Sequence, residues 1–287
     1  MVRYPAFHGS PGTSMPGFDK DSPMQPLTNI AVTAARRAGD VILGYYRRGD
    51  TGEVTAKSGR NDFVTEADQR AEQVIIDTIS RVYPDHAFMA EESGEAGDSD
   101  TVWIIDPIDG TANFIAGIPH FCVSIACQVN GVLEHAVIYD PVKDELFTAD
   151  RGAGSSLDGK RIRVTRTVRL RQALLATGFA YRKKQDIATH MPVFNRLLSA
   201  SSDIRRAGSA ALDLAYVAAG RLDGFWEMGL APWDMAAGIL MVRGAGGIAG
   251  DIKDRDPMET GNVIASNPKL YPQLIEKIER TPSGRAS

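Results

Sequence analysis

The predicted elements place the chain in the mixed class, an α+β first half leading into an α/β second half. Three observations carry that prediction. Apolar residues recur at helical spacing from Leu27 and again from Thr65, short apolar runs separated by turn signals fill residues 87–149, and strands alternate with helices after Gly159. No internal repeat or composition break divides the halves. The expectation is an extension over residues 1–23 and one unit over 24–287, with an α+β subdomain at about 24–160 and an α/β subdomain at about 161–287.

The elements follow in order. The first 26 residues hold five of the fifteen prolines with no periodicity, a composition that cannot bury enough apolar surface to order itself. Met24 is a sensible alternative start, which would make the preceding segment an upstream addition. Ile30, Ala34, Ala38, Val41, Ile42 and Tyr45 then define one face of a helix of about five turns. A second helix starts near Thr65, where Thr65 and Asp68 have capping-box spacing, and runs through Val74, Ile75 and Ile79 toward Pro84. Strands are expected at 87–90, 102–106, 121–129, 132–139 and 145–149, with Asn130-Gly131 as a hairpin turn. Beyond Gly159 the order is strand 173–177, helix 189–200, helix 209–219, strand 223–227, helix 233–243, strand 262–266 and helix 268–280.

Composition excludes several roles. The 287 residues carry 32 basic against 36 acidic side chains, a formal charge of −4, which does not suit a protein that coats nucleic acid. No 18-residue apolar run is present to cross a membrane. Cys122 and Cys127 lie an odd number of residues apart in one strand, so they point to opposite faces and do not bridge. Sparse thiols without a hydrophobic leader fit a reducing cytoplasm.

The strongest chemical signal is WIIDPIDGTANF, residues 103–114. Asp106 ends an apolar strand, Asp109 follows three residues on, and Pro107 stiffens the bend between them. Two carboxylates so close repel unless a cation lies between them. Gly110-Thr111-Ala112 then opens a short helix, whose free N–H groups suit a phosphate. The competing reading is an ordinary β-turn with aspartates at turn positions. Glu91 of Glu91-Glu92-Ser93 also follows a strand, with a solvated acidic loop as its alternative. Asp234 of Pro232-Trp233-Asp234 opens a helix that is apolar nearly all round, so it is either a helix cap or a buried carboxylate in need of a cation.

Taken together, these motifs resemble the inositol monophosphatase family of metal-dependent phosphatases, in its bacterial inositol-1-monophosphatase branch. DPIDGTANF and PWDMAAG match the two family signatures in order and spacing, the residues from Arg60 to Asp68 and 207–229 match as well, and the likeness runs from about Met24 to Glu279. The resemblance implies the family's layered αβαβα sandwich and Mg²⁺-dependent hydrolysis of myo-inositol 1-phosphate or related polyol phosphates. Histidinol phosphate, fructose 1,6-bisphosphate and 3′-phosphonucleotides are alternative substrates on the same scaffold.

Residue by residue, it implies Mg²⁺ ligands at Glu91, Asp106, Asp109, Asp234, the Ile108 carbonyl and Thr111. These are all oxygen donors, as a hard cation prefers. The four carboxylates carry four negative charges, which two Mg²⁺ balance, and two or three ions per subunit are expected. Glu91 and Thr111, with Asp68 orienting the Thr111 hydroxyl, would activate water; Asp68 has a competing role as the N3 capping residue. Asp109, Gly110, Thr111, Ala112, Ala210, Glu227, Asp234 and Lys57 are the expected substrate contacts. Lys57 has surface charge as its alternative, and Glu227 an ion pair with Arg205 or Arg206. Ala90 and Ala112 depart from residues common in the family, Gly and Thr respectively. The resemblance further implies a homodimer, lithium sensitivity, and a second role in transcription antitermination through protein and RNA contacts. Arg205-Arg206 and Arg182-Lys183-Lys184 permit that role, with solvated charge as the plain reading.

Overall fold

Helix α1 (Pro26–Arg48) carries Pro26 in its first turn, Arg47 and Arg48 in its last, and Gly49 beyond it in the left-handed conformation at φ 64°. Proline suits a first turn, cations complement the negative end of the helix dipole, and glycine takes positive φ without steric cost. The computed structural model describes residues 25–49, 54–56, 63–179 and 187–279. The extension over 1–23, Lys57, residues 60–62 of the Arg60–Asp68 motif and the 182–184 basic cluster lie outside the described residues.

Strands β1 (Val54–Ala56) and β2 (Phe63–Thr65) form a small antiparallel pair ahead of helix α2 (Glu66–Ser80). The capping box forms as its spacing predicts: Asp68 N–H donates to Thr65 Oγ1 at 3.4 Å and Thr65 N–H donates to Asp68 Oδ2 at 2.9 Å. Ala31, Ala34, Ala35, Ala38 and Ile42 of α1 and Ala67, Ala71, Ile75 and Ile79 of α2 are buried in one core. Alanine at these positions lets the two helices approach closely.

That helix pair covers one face of an eight-stranded sheet. Its strands are β3 (Ala87–Ala90), β4 (Gly94–Ala96), β5 (Thr101–Asp109), β6 (Cys122–Val129), β7 (Val132–Asp140), β8 (Glu145–Asp150), β9 (Gly154–Leu157) and β10 (Lys160–Arg161). The order is β10-β9-β8-β7-β6-β5-β3-β4, and only β3 and β5 run parallel. A five-residue helix α3 (Thr111–Ile115) follows β5. Between β6 and β7, Asn130 and Gly131 both take positive φ (50° and 76°), the backbone of the hairpin turn their types predict.

The second sheet holds β11 (Leu174–Thr177), β12 (Asp203–Arg205), β13 (Gly224–Glu227), β14 (Ile248–Gly250) and β15 (Val263–Ser266) in the order β12-β11-β13-β15-β14. Its outer face packs on α4 (Ile187–Ala200) and α8 (Tyr271–Glu279), through Leu175, Trp226 and Ile264 against Val193, Leu197, Leu274 and Ile278. Between the two sheets lie α5 (Ala210–Ala218) and α6 (Pro232–Gly244), with Ile104, Ile138 and Phe147 of the first sheet and Phe225, Val263 and Ala265 of the second in the same core. A short helix α7 (Pro257–Thr260) adjoins α6. The layers therefore read α1α2, sheet, α5α6, sheet, α4α8: the αβαβα sandwich expected. As the middle layer, α6 touches protein on both sides, which explains why Met235 to Val242 is an unbroken buried apolar run. Each fully buried Leu, Ile or Phe here contributes about 1.5–3 kcal/mol.

Cys122 and Cys127 lie in different cores, on opposite faces of β6, both buried and free, as their odd spacing predicts. Strands β4, β10, β12 and β14, which the sequence pattern does not signal, are the edges of the two large sheets. Edge strands face water on one side and lack the apolar run of a central strand. No described helix is long and apolar enough to cross a membrane.

Candidate active site

Strand β5 runs beyond Asp106, where the sequence places its end, to Asp109. Asp106 pairs with Ser124 and Asp109 with Cys122, so three steps on β5 oppose two on β6. The extra residue is a bulge at Pro107-Ile108. Side chains alternate across a strand, so residues three apart would face opposite ways; the bulge restores Asp109 to the face that Asp106 uses. Ile105 and Ile108 accordingly share the α1α2 core while Ile104 lies in the α5α6 core. Asp106 Oδ1 accepts the N–H of Ile108 at 3.0 Å, which stiffens the turn.

The third carboxylate arrives from α6. Asp234 sits at N3 of that helix, where its Oδ2 accepts the Ala231 N–H at 2.7 Å. Capping and a place in the site are therefore compatible. Asp106, Asp109 and Asp234 are all buried, and each offers an oxygen within 4.8 Å of the others. Asp109 is gripped further by α5: its Oδ2 accepts the Ser209 hydroxyl and the Ala211 N–H, both at 2.6 Å. Burial first, then the charge of Asp234, push its carboxyl up to about 7 despite those two donors. Two more carboxylates border the group. Burial and the Asp109 charge raise Asp213 well above the usual range. Burial and the charges of Asp234, Asp213 and Asp109 do the same for Glu227, with Arg206 opposing. Arg205 instead pairs with Asp203 at 2.5 Å.

Glu91 follows β3, and its N–H donates to Ile105 O at 3.1 Å. It stands outside the tight aspartate group but close enough to raise the Asp109 pKa. Glu72 of α2 holds its turn, accepting the N–H groups of Glu92 and Ser93 at 2.8 Å each. Asp68 divides its two oxygens: Oδ2 caps α2, and Oδ1 faces the Thr111 hydroxyl at 3.3 Å. One side chain thus both caps α2 and reaches the Thr111 hydroxyl. The Thr111 hydroxyl also reaches Ile108 O at 3.0 Å, so one proton has two acceptors. Gly110 takes φ 106°, and a Cβ there would lie 3.0 Å from His120 O. Only glycine fits, and its turn leaves the first N–H groups of α3 outside the helix ladder. Ala210 opens α5 beside Ala211.

Sequence reasoning missed Ser209, Asp213 and Glu72. Gly208-Ser209-Ala210 ahead of an apolar helix is an N-cap signal that could have marked Ser209. Glu72, four residues after Asp68, falls on the same buried face of α2.

A buried group of like-charged carboxylates at this spacing is costly without a cation, and its donors are all oxygen, so the residues present fit a bound metal ion. The layered fold thus holds a candidate metal centre between β5 and the first turns of α5 and α6. The sequence profile of the inositol monophosphatase family matches residues 23–283. Nus factor SuhB of Escherichia coli (strain K12) is 51% identical over 255 residues, covering 88% of this chain and 95% of that protein. Among solved structures, the extragenic suppressor protein suhB of Bartonella henselae superposes with a TM-score of 0.85 at 42% identity, covering 89% and 99% of the two chains. The inositol monophosphatase of Anabaena (Nostoc) sp. PCC 7120 does so at 0.80 and 39%, covering 89% and 96%. The chain belongs to the inositol monophosphatase family.

Proposed function

We propose that the chain is a Mg²⁺-dependent phosphomonoesterase that hydrolyses myo-inositol 1-phosphate and related polyol phosphates to the free polyol and phosphate. The observation that carries this reading is the buried group of Asp106, Asp109 and Asp234 with oxygens within 4.8 Å, bordered by Glu91. Glu91, Asp106, Asp109, Asp234, Ile108 O and Thr111 would hold two or three Mg²⁺, which supply charge neutralisation and a more acidic water. In this assignment Glu91 and Thr111, oriented by Asp68, position water and accept its proton. The water oxygen bonds to phosphorus, the ester P–O bond breaks, and the polyol oxygen takes up a proton. The N–H groups of Gly110, Thr111 and Ala112 meet the phosphoryl oxygens, where developing charge is greatest. Glu227 and Ala210 contact the polyol, with Lys57 near the phosphate.

The proposal includes one catalytic unit over residues 24–287, a homodimer, lithium sensitivity and a cytoplasmic setting, the last supported by two buried free thiols. A substrate panel tests it: phosphate release from myo-inositol 1-phosphate, histidinol phosphate, fructose 1,6-bisphosphate and phosphoadenosine, with and without Mg²⁺. Inositol 1-phosphate is expected to be the best substrate, and Asp106→Asn to abolish turnover. Full activity of Asp106→Asn would sink the metal assignment.

A second reading rests on the name Nus factor carried by the Escherichia coli relative. It gives the chain a binding role in transcription antitermination. Capture of polymerase factors by the inactive Asp106→Asn variant would support a role separate from catalysis.

A further inference from the structure

Strands β11 and β13 run parallel, with Leu175 opposite Gly224, Ala176 opposite Phe225 and Thr177 opposite Trp226. The Thr177 hydroxyl donates to Trp226 O at 2.7 Å and holds that register to the end of both strands. One step further, the same register brings Gly178 beside Glu227. The Glu227 carboxylate lies directly over this glycine. A Cβ on Gly178 would stand 2.5 Å from Glu227 Cδ, 2.6 Å from Oε1 and closer still to Oε2, all well inside contact distance. Gly178 has no positive φ that would demand glycine for its backbone. Space for Glu227 is therefore what the missing side chain provides.

Two further observations give that space a purpose. Glu227 stays out of the Asp106, Asp109 and Asp234 group although the charges of Asp109 and Asp234 reach it. It is only 5% exposed, and its carboxylate is acted on by burial and by the charges of Asp234, Asp213 and Asp109, with Arg206 opposing. A carboxylate crowded by like charges favours a hydrogen-bond donor. A hydroxyl-bearing ligand would supply the donor.

We propose that Gly178 is a specificity-determining residue: by carrying no side chain it seats the Glu227 carboxylate beside β11, clear of the aspartate cluster, as an acceptor for the hydroxyl groups of a polyol leaving group. This rests on the phosphatase reading above and extends it to the choice of leaving group. Gly178 touches no reacting atom and acts through Glu227, so it is a positioning residue. The atom it would displace is the end of a flexible side chain, so Gly178→Ala is expected to move Glu227 without unfolding the chain.

The test compares kcat/KM for myo-inositol 1-phosphate and for p-nitrophenyl phosphate, which has no polyol. It uses the full chain as wild type, Gly178→Ala, Glu227→Asp and the double variant, together with a crystal structure of Gly178→Ala. The expected result is a fall of about 10- to 100-fold in the ratio of the two kcat/KM values for Gly178→Ala, the loss of a bond to a charged acceptor. The change falls mainly in KM, and the carboxylate is visibly displaced. Glu227→Asp, one methylene shorter, recovers part of the ratio when combined with Gly178→Ala. An unchanged ratio, or a Glu227 carboxylate that keeps its place in the Gly178→Ala structure, overturns the proposal while the phosphatase reading stands. A wild type inactive on both esters overturns the phosphatase reading instead, and the seat is then judged by the position of Glu227 alone.

Discussion

The Ser209 hydroxyl stands 2.6 Å from Asp109 Oδ2, joining the start of α5 to the bulged end of β5 across 100 residues of chain. Ser209 Oγ also accepts the Leu212 N–H at 3.3 Å, so one side chain both caps a helix and fixes a candidate metal ligand. Ser209→Ala is expected to cost about 1 kcal/mol as a lost cap, a fall in Tm of roughly 2–4 °C. It also removes a donor that orients Asp109, which should raise the Mg²⁺ concentration for half-maximal activity about 10-fold or more. Ser209→Thr keeps the hydroxyl and should restore both. Thermal unfolding and a Mg²⁺ titration check this. An unchanged Mg²⁺ requirement would leave Ser209 a cap alone.

Substitution of Asp68 is expected to separate stability from turnover, because its two oxygens have different partners. An asparagine can turn its carbonyl oxygen to the Thr65 N–H and still cap α2, but it then offers Thr111 a donor in place of an acceptor. Asp68→Asn should hold Tm within a few degrees while kcat falls by about 10²–10⁴, the usual worth of an acid–base group. Asp68→Ala should lose both. If Asp68→Asn keeps wild-type kcat, the pair with Thr111 has no part in the reaction.

Long range is where sequence pattern runs out. Most central strands and the long helices are legible because their cores impose periods of 2 and 3.6, the four-residue β9 (Gly154–Leu157) being too short and too rich in Gly and Ser to show one, and Asp106, Asp109 and Asp234 are legible because their motifs are local. Ser209 and Glu72 are not marked by chemistry of their own. Each matters through a contact with a segment 20 or 100 residues away. The bulge at Pro107-Ile108 is likewise defined by the partner strand: counting along β5 alone, Asp106 and Asp109 fall on opposite faces. Edge strands escape for a different reason, since exposure removes the apolar pattern that betrays a strand.

The two thiols give a simple check on the layering. Cys122 Sγ lies 3.7 Å from Ser209 Oγ and 4.0 Å from Asp109 Oδ2. Burial and then the Asp109 charge hold its pKa far above the usual value, and burial lifts Cys127 to about 12. The thiolate is the reactive form, so neither should react with a thiol reagent at pH 8 in the native protein. Both should react in guanidinium. Rapid labelling of either in the native state would show that β6 is not the covered central strand described.

Without metal, stability at the site should fall as pH rises. The Asp109 carboxyl titrates at about 7 in the fold against an ordinary 3.8. Between those values the fold keeps a proton that the unfolded chain has released, so the native state binds more protons and stability falls as pH rises. The contribution is complete below about pH 4 and gone above about pH 7. Asp213 and Glu227, raised by burial and neighbouring carboxylates, act in the same direction. A cation competes with these protons, so its stabilising effect must grow over the same interval. In EDTA, Tm is expected to fall between pH 5 and 7.5 relative to Asp109→Asn, which lacks the titrating group. Added Mg²⁺ should raise the wild-type Tm little at pH 5 and most at pH 7.5. Thermal unfolding of both proteins across that range decides the matter: a wild type that tracks Asp109→Asn in EDTA, or a Mg²⁺ effect independent of pH, would mean that Asp109 is already ionised without metal.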